Sequence, residues 1–200
     1  MNQRVRFRYA GFGGLLLLML TLTGCGINNI PAYDESAKAA WSQVLNQYQR
    51  RADLVPNLVN TVKGFATQER EVLTAVVEAR SKVAGMKIDA SILNDPQAFK
   101  TFQANQDALG SALSRLLVTV ERYPELKSSQ NFITLQSQLE GTENRIAVAR
   151  RDYIQAVQVY NTELRTFPGR FWHSLLYSDS KPMENFTVTE AAQAVPEVKF

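Results

Sequence analysis

One cysteine and one histidine among 200 residues leave few ligands for metal or thiol chemistry. No intramolecular disulfide can form, and zinc or copper sites of the usual His/Cys type are excluded within one chain. A Ser-His-Asp arrangement would have to use His173, which has no nucleophile-elbow sequence near it. Phosphate-binding loops are also missing: the densest glycine run, Gly11-Phe12-Gly13-Gly14, lies close to the N-terminus. No cofactor is therefore expected. Acidic residues are absent before Asp34, while Arg4, Arg6 and Arg8 crowd the first eight positions, so the formal charge of +3 is unevenly spread.

That basic start is followed by an apolar run, Leu15-Leu16-Leu17-Leu18-Met19-Leu20, and then by Leu22-Thr23-Gly24-Cys25. Together they form a secretory signal over residues 1–24, which is set aside in reasoning about the fold. The last four residues resemble a bacterial lipobox, in which the thiol of Cys25 accepts the lipid and small neighbours admit the peptidase. A signal anchor is the competing reading, but the strongly apolar part is shorter than the roughly 20 residues a spanning helix needs. By resemblance to enterobacterial sorting, Gly26 after the cysteine favours the outer membrane. Removing Arg4, Arg6 and Arg8 from the 22 basic residues leaves 19 against 19 acidic ones. A neutral body with interleaved charges excludes nucleic acid as an expected partner.

Proline is scarce between Asp34 and Phe167, at Pro56, Pro96 and Pro124 alone, and helix formers dominate. A four-three spacing runs through Trp41, Leu45, Tyr48, Ala52, Val55, Val59, Val62, Ala66, Glu69, Leu73, Val76, Arg80 and Val83, predicting one long helix ending near Gly85. Pro56 kinks it, and Gly64 offers a point at which it breaks in two; the unbroken phase favours one bent helix. Asn94-Asp95-Pro96 starts a second helix with the seam Phe99, Phe102, Gln106, Leu109, Leu113, Leu116, Val120 and Tyr123, ended by Pro124. Ser128 or Ser129 caps a third, with a seam from Phe132 to Tyr160 that stops before Pro168-Gly169. The predicted fold is all-α: an antiparallel up-and-down bundle of three long helices over residues 34–167, four if the first breaks. Residues 25–33 form a tether. Residues 168–200 form an irregular tail expected to pack on the bundle, with an interfacial contact by Arg170-Phe171-Trp172 as the alternative.

Polar chemistry concentrates in the last helix. Glu140 and Asn144 share a face there, as do Glu143 and Arg150, and Arg145 and Asp152. Glu69 interrupts the apolar seam of the first helix, so it is expected to pair with an Arg of the last. A structural polar network of Glu69, Glu143, Asn144, Arg145 and Arg150 follows. Hydrolysis by Glu69, Glu140 or Glu143 is a second reading, and a ligand cavity between helices a third.

Several separated motifs resemble the LemA family: Arg50-Arg51-Ala52-Asp53-Leu54-Val55-Pro56-Asn57-Leu58-Val59, Lys63-Gly64-Phe65-Ala66, Glu121-Arg122-Tyr123-Pro124-Glu125-Leu126-Lys127, Leu139-Glu140-Gly141-Thr142-Glu143-Asn144-Arg145-Ile146 and the closing Pro196-Glu197-Val198-Lys199-Phe200. The resemblance implies a helical bundle at the bacterial envelope, with no activity presumed and no catalytic residues to carry over. Relatives carry an uncleaved membrane helix where this chain carries a lipobox. It further implies an envelope protein partner, such as a membrane protease or a TPM-domain protein. The expectation is a non-enzymatic lipoprotein scaffold facing the periplasm.

Overall fold

The computed structural model describes residues 26–86 and 89–187. The signal segment with Leu22, Thr23, Gly24 and Cys25, and the closing motif, lie outside the described residues. Helix α1 spans Asn29–Phe65 and α2 Arg70–Ala84. A 3-10 turn at Ala90–Asn94 leads into α3, Pro96–Val120, followed by the short α4, Pro124–Lys127. Helix α5 spans Gln130–Glu163 and α6 Gly169–Leu176. No strand occurs among the described residues.

Local sequence explains the helix starts. Asp95 caps α3 by accepting from the amides of Gln97 and Ala98 at 2.9 and 3.0 Å, and Pro96 occupies the first turn, where its missing N–H costs nothing. Ser129 takes the cap position of α5, as expected, but makes no side-chain cap bond. The first helix begins ahead of Asp34, at Asn29, so the segment before it is shorter than residues 25–33. Ile30 is buried and Asn29 Nδ2 donates to Glu163 Oε1 at 3.1 Å, which fixes that first turn to the end of α5.

The expected single bent helix is corrected to two. Helix α1 carries Pro56 without ending, and the chain breaks instead between Phe65 and Arg70. Register supplies the reason. Trp41 meets Tyr153 and Arg51 meets Glu143, so α1 and α5 run antiparallel, and the same register sets Gly64 opposite Gln130, the first residue of α5. Past that point a straight α1 would have no partner, and the chain reverses into α2. Pro56 leaves its own trace. Lacking an N–H, it frees the carbonyl of Ala52 one turn earlier, and Arg80 Nε of α2 donates to that oxygen at 3.0 Å.

Two apolar cores result. One is aromatic, built on Trp41, Tyr48, Phe99, Phe102, Tyr153 and Phe186, with ring centroids 5.1–6.5 Å apart. The other is aliphatic, built on Leu58, Val62, Val76, Leu109, Leu116 and Leu126 at the α2–α4 end. Of the expected tail, residues 168–187 are described: α6 is helical and buries Trp172, after which Lys181–Thr187 lies against the bundle as a strap without regular secondary structure.

Candidate functional site

The strap fills the gap between α3 and α5 at the aromatic end. Its carbonyls accept from Asn94 Nδ2, Tyr160 Oη, Asn161 Nδ2, Tyr153 Oη and Gln103 Nε2 in succession, from Lys181 to Thr187. Phe186 is buried against Trp41, Phe99 and Tyr153. Beside Phe186 and Thr187 the described residues leave a groove in the same gap. It has a volume of about 600 Å³ and is walled on α3 by Asp107, Gly110, Ser111 and Ser114 and on α5 by Glu143, Ile146, Arg150 and Ile154. Tyr48 and Arg51 of α1 complete the lining.

Arg51 organises this groove at the junction of the two cores. It is 4% exposed, and its guanidinium donates to Gln106 Oε1 at 2.7 Å, to the Gln106 carbonyl at 2.9 Å and to Glu143 Oε1 at 3.1 Å. Gly110 stands beside the guanidinium on the α3 wall, where a Cβ would make only ordinary van der Waals contact with Nη1 at 3.6 Å. Burial raises the pKa of Tyr48 against the opposing pull of Arg150 and Arg51. Arg150 lies 4.3 Å over the Phe186 ring and makes no ion pair among the described residues. Among the described residues the groove therefore presents one guanidinium paired with a carboxylate and one without an acidic partner, beside small, hydroxyl-bearing residues.

The expected polar network divides into separate places. Glu143 and Arg150 share the groove. Glu69 does not pair with an Arg of the last helix; it accepts from Tyr123 Oη at 2.7 Å and pairs with Arg122 Nη2 at 3.1 Å, beyond the end of α3. The chain turns there, so the partners of Glu69 come from the α3–α4 corner rather than from α5. Tyr123's pKa rises through this bond to Glu69. Asn144 and Arg145 lie elsewhere again, in a shallow outer groove with Gln43, Gln47 and Asp152. Glu140 is exposed and accepts from Gln136. Nothing in periodicity marks Arg51 and Gln106 as the pair that floors a groove. Gln106 did leave a signal, a polar side chain standing in an apolar seam.

Among the described residues no group of three or more His, Cys, Asp or Glu side chains is placed to hold a metal. No described helix is long and apolar enough to cross a membrane. These features define a helical-bundle protein with a polar groove along one side.

The family model described as "LemA family" matches residues 40–200, and the chain belongs to that family. It is similar to "Magnetosome protein MamQ 2" of Paramagnetospirillum magneticum, 26% identical over 160 residues, covering 72% of this chain and 59% of the relative. It is also similar to "Magnetosome protein MamQ" of Magnetospirillum gryphiswaldense, 26% identical over 150 residues, 67% of this chain and 55% of the relative. "Protein LemA" of Metamycoplasma hominis is 25% identical over 119 residues, 60% of this chain and 50% of that one. The chain thus spans between half and three-fifths of the length of these curated relatives.

Proposed function

We propose that this LemA-family chain is a bacterial envelope lipoprotein without enzymatic activity: acylated at Cys25, facing the periplasm, and presenting the α3–α5 groove to an envelope protein partner. The partner contributes an extended segment bearing a carboxylate. One observation carries this reading: the strap Lys181–Thr187 already occupies the same gap as a non-helical segment, held by side-chain donors to its carbonyls. The open part continues that channel and adds Arg150, a guanidinium with no acidic partner among the described residues. The LemA and magnetosome-named relatives support a bacterial, membrane-associated setting. Gly26 after the cysteine favours the outer membrane, and a membrane protease or a TPM-domain protein is the kind of partner the family resemblance suggests.

The hydrolase reading loses ground because its carboxylates are dispersed. Glu69 is bound at the α3–α4 corner, Glu143 is paired with Arg51, and Glu140 points outward. A small-ligand sensor keeps one observation in its favour, the groove volume, which falls within the range of ligand pockets. Two measurements test the proposal. Alkyne-palmitate fed to expressing bacteria should label the wild-type chain and not Cys25→Ala, whose signal segment should stay uncleaved; equal labelling of both overturns the acylation. A photo-crosslinking residue at Ser111, in the native envelope, should capture a second protein and lose it in Arg150→Glu; crosslinks confined to the chain itself overturn the partner.

A further inference from the structure

The groove does not use a cluster of exposed apolar side chains among the described residues. Phe167, Phe171, Leu175 and Leu176 are 86%, 52%, 61% and 54% exposed, all within ten residues around α6. The other exposed large hydrophobics, such as Phe65, Val77, Val118 and Ile133, are scattered over α1, α2, α3 and α5. Single exposed apolar side chains are ordinary, whereas a contiguous set marks a contact surface.

We propose that the outward face of α6, with Phe167 ahead of it, is a membrane-contact surface that seats this end of the bundle on the lipid interface. Phe171 and Leu175 lie one turn apart on the same helix face. The opposite face is fixed. Trp172 is buried, and a Cβ at Gly169 would collide with the Glu163 carbonyl and approach its Cδ to 2.7 Å, so α6 sits too close to α5 to roll its outer side chains inward. His173 Nε2 bonds the Ser180 carbonyl at 2.9 Å and ties the end of α6 to the residue just before the strap.

Position identifies the occupant as lipid. Gly26, the first described residue, packs against Pro168, with only 3.2 Å between a Cβ built on Gly26 and Pro168 Cγ. Its φ of +88° favours glycine as well. Cys25 is the next residue toward the N-terminus in sequence, so an acyl group on it is tethered one residue from the Gly26–Pro168 contact that adjoins Phe167. Arg165 and Arg170 are exposed in the same stretch, where guanidinium groups meet anionic headgroups above buried apolar side chains. A single weak apolar contact and a lipid anchor reinforce each other, because the anchor holds the patch at the interface continuously. The inference rests on acylation of Cys25 for that tether.

The full chain, purified from membranes of expressing bacteria, is reconstituted in phosphatidylethanolamine–phosphatidylglycerol vesicles. Phe171→Cys, Leu175→Cys and, as a distant exposed control, Val118→Cys are each labelled with the fluorophore NBD. Acylated Cys25 offers no thiol, so each variant carries one label. Intact mass reports acylation separately from fluorescence; a chain without the acyl mass is compared in a Cys25→Ser background, which keeps the single label. The expected result is blue-shifted emission at positions 171 and 175, quenched by lipids with a doxyl group near the headgroup, and neither effect at 118. Quenching at 171 and 175 no greater than at 118 overturns the surface. A blue shift without lipid quenching also overturns it, by assigning the patch to a protein or a second copy. Missing acyl mass with position-specific quenching retained supports the surface and removes only the anchor.

Discussion

Arg51 shows how strongly burial decides the value of a charged side chain. Arg51→Ala leaves the Gln106 side-chain oxygen without its donor inside the bundle and removes a long packed stem, a loss of about 2–4 kcal/mol by analogy with other buried polar deletions. Its partner is less costly. The Glu143 side chain is 43% exposed, so Glu143→Gln should lose only about 0.5–1 kcal/mol. Urea midpoints of the two variants check the ranking. Tyr153 gives the pH counterpart. Burial, aided by the nearby Glu184 charge, raises its pKa well above the ordinary value of 10.0, and Tyr48 and Tyr160 move the same way, also by burial. Below about pH 10 these phenols are protonated in both folded and unfolded chains and stability is unaffected. Above it the unfolded chain ionises first, so stability falls as pH rises toward the folded pKa values. Tyr153→Phe should cost about 1 kcal/mol near neutrality through the lost bond to the Glu184 carbonyl. Between about pH 8 and about pH 11 its urea midpoint should then fall less than that of the wild type.

At the scale of elements, Pro56 and Arg80 form one unit made by two helices. Arg80→Ala orphans the Ala52 carbonyl and should cost about 1–2 kcal/mol, whereas in a Pro56→Ala background the restored amide satisfies that oxygen and the same change should cost much less. Equal costs in both backgrounds, measured by urea unfolding, would refute the coupling. Gly169→Ala tests the seating of α6. The new methyl has no room against Glu163, so a loss of about 1–3 kcal/mol is expected, together with faster amide exchange over residues 169–176. The two cases also show what was legible in sequence. Periodicity and punctuation located α3 from Asp95-Pro96 and the end of α5 before Pro168, because caps and seams are local. Local signals could not choose between a kink at Pro56 and a break past Gly64, since that choice depends on where α5 begins opposite α1. Glu69 stands out as a polar residue in an apolar seam, yet its partner is not legible there, because seam position says that a side chain faces inward and not which helix it meets. The groove was less legible still. It exists because α3 and α5 stand apart above the strap, a spacing set by tertiary packing around Phe186 and Arg51 rather than by any motif.

Across the whole molecule, a polar layer separates an aromatic core from an aliphatic one, and that layer floors the groove. Such layers are seldom the most stable way to fill a bundle, because a buried guanidinium gives up hydration that its partners only partly replace. Arg51 and Gln106 can therefore be exchanged together for Met and Leu. Each single change leaves a buried polar group without its partner and should destabilise the chain; the double change removes donor and acceptor together and joins the two cores with apolar volume. Arg51→Met/Gln106→Leu should thus recover most of the loss seen in either single variant, giving a urea midpoint close to that of the wild type. The groove's outer wall, including Arg150 and Ser111, remains in place in that variant, but its floor loses its charge. Photo-crosslinking from Ser111 then separates two reasons for keeping the layer. If the layer serves recognition, capture of the partner falls while stability is retained. If instead the double variant captures the partner as well as the wild type does, Arg51 acts in helix register alone, and recognition rests on Arg150 and the continuation of the strap's channel.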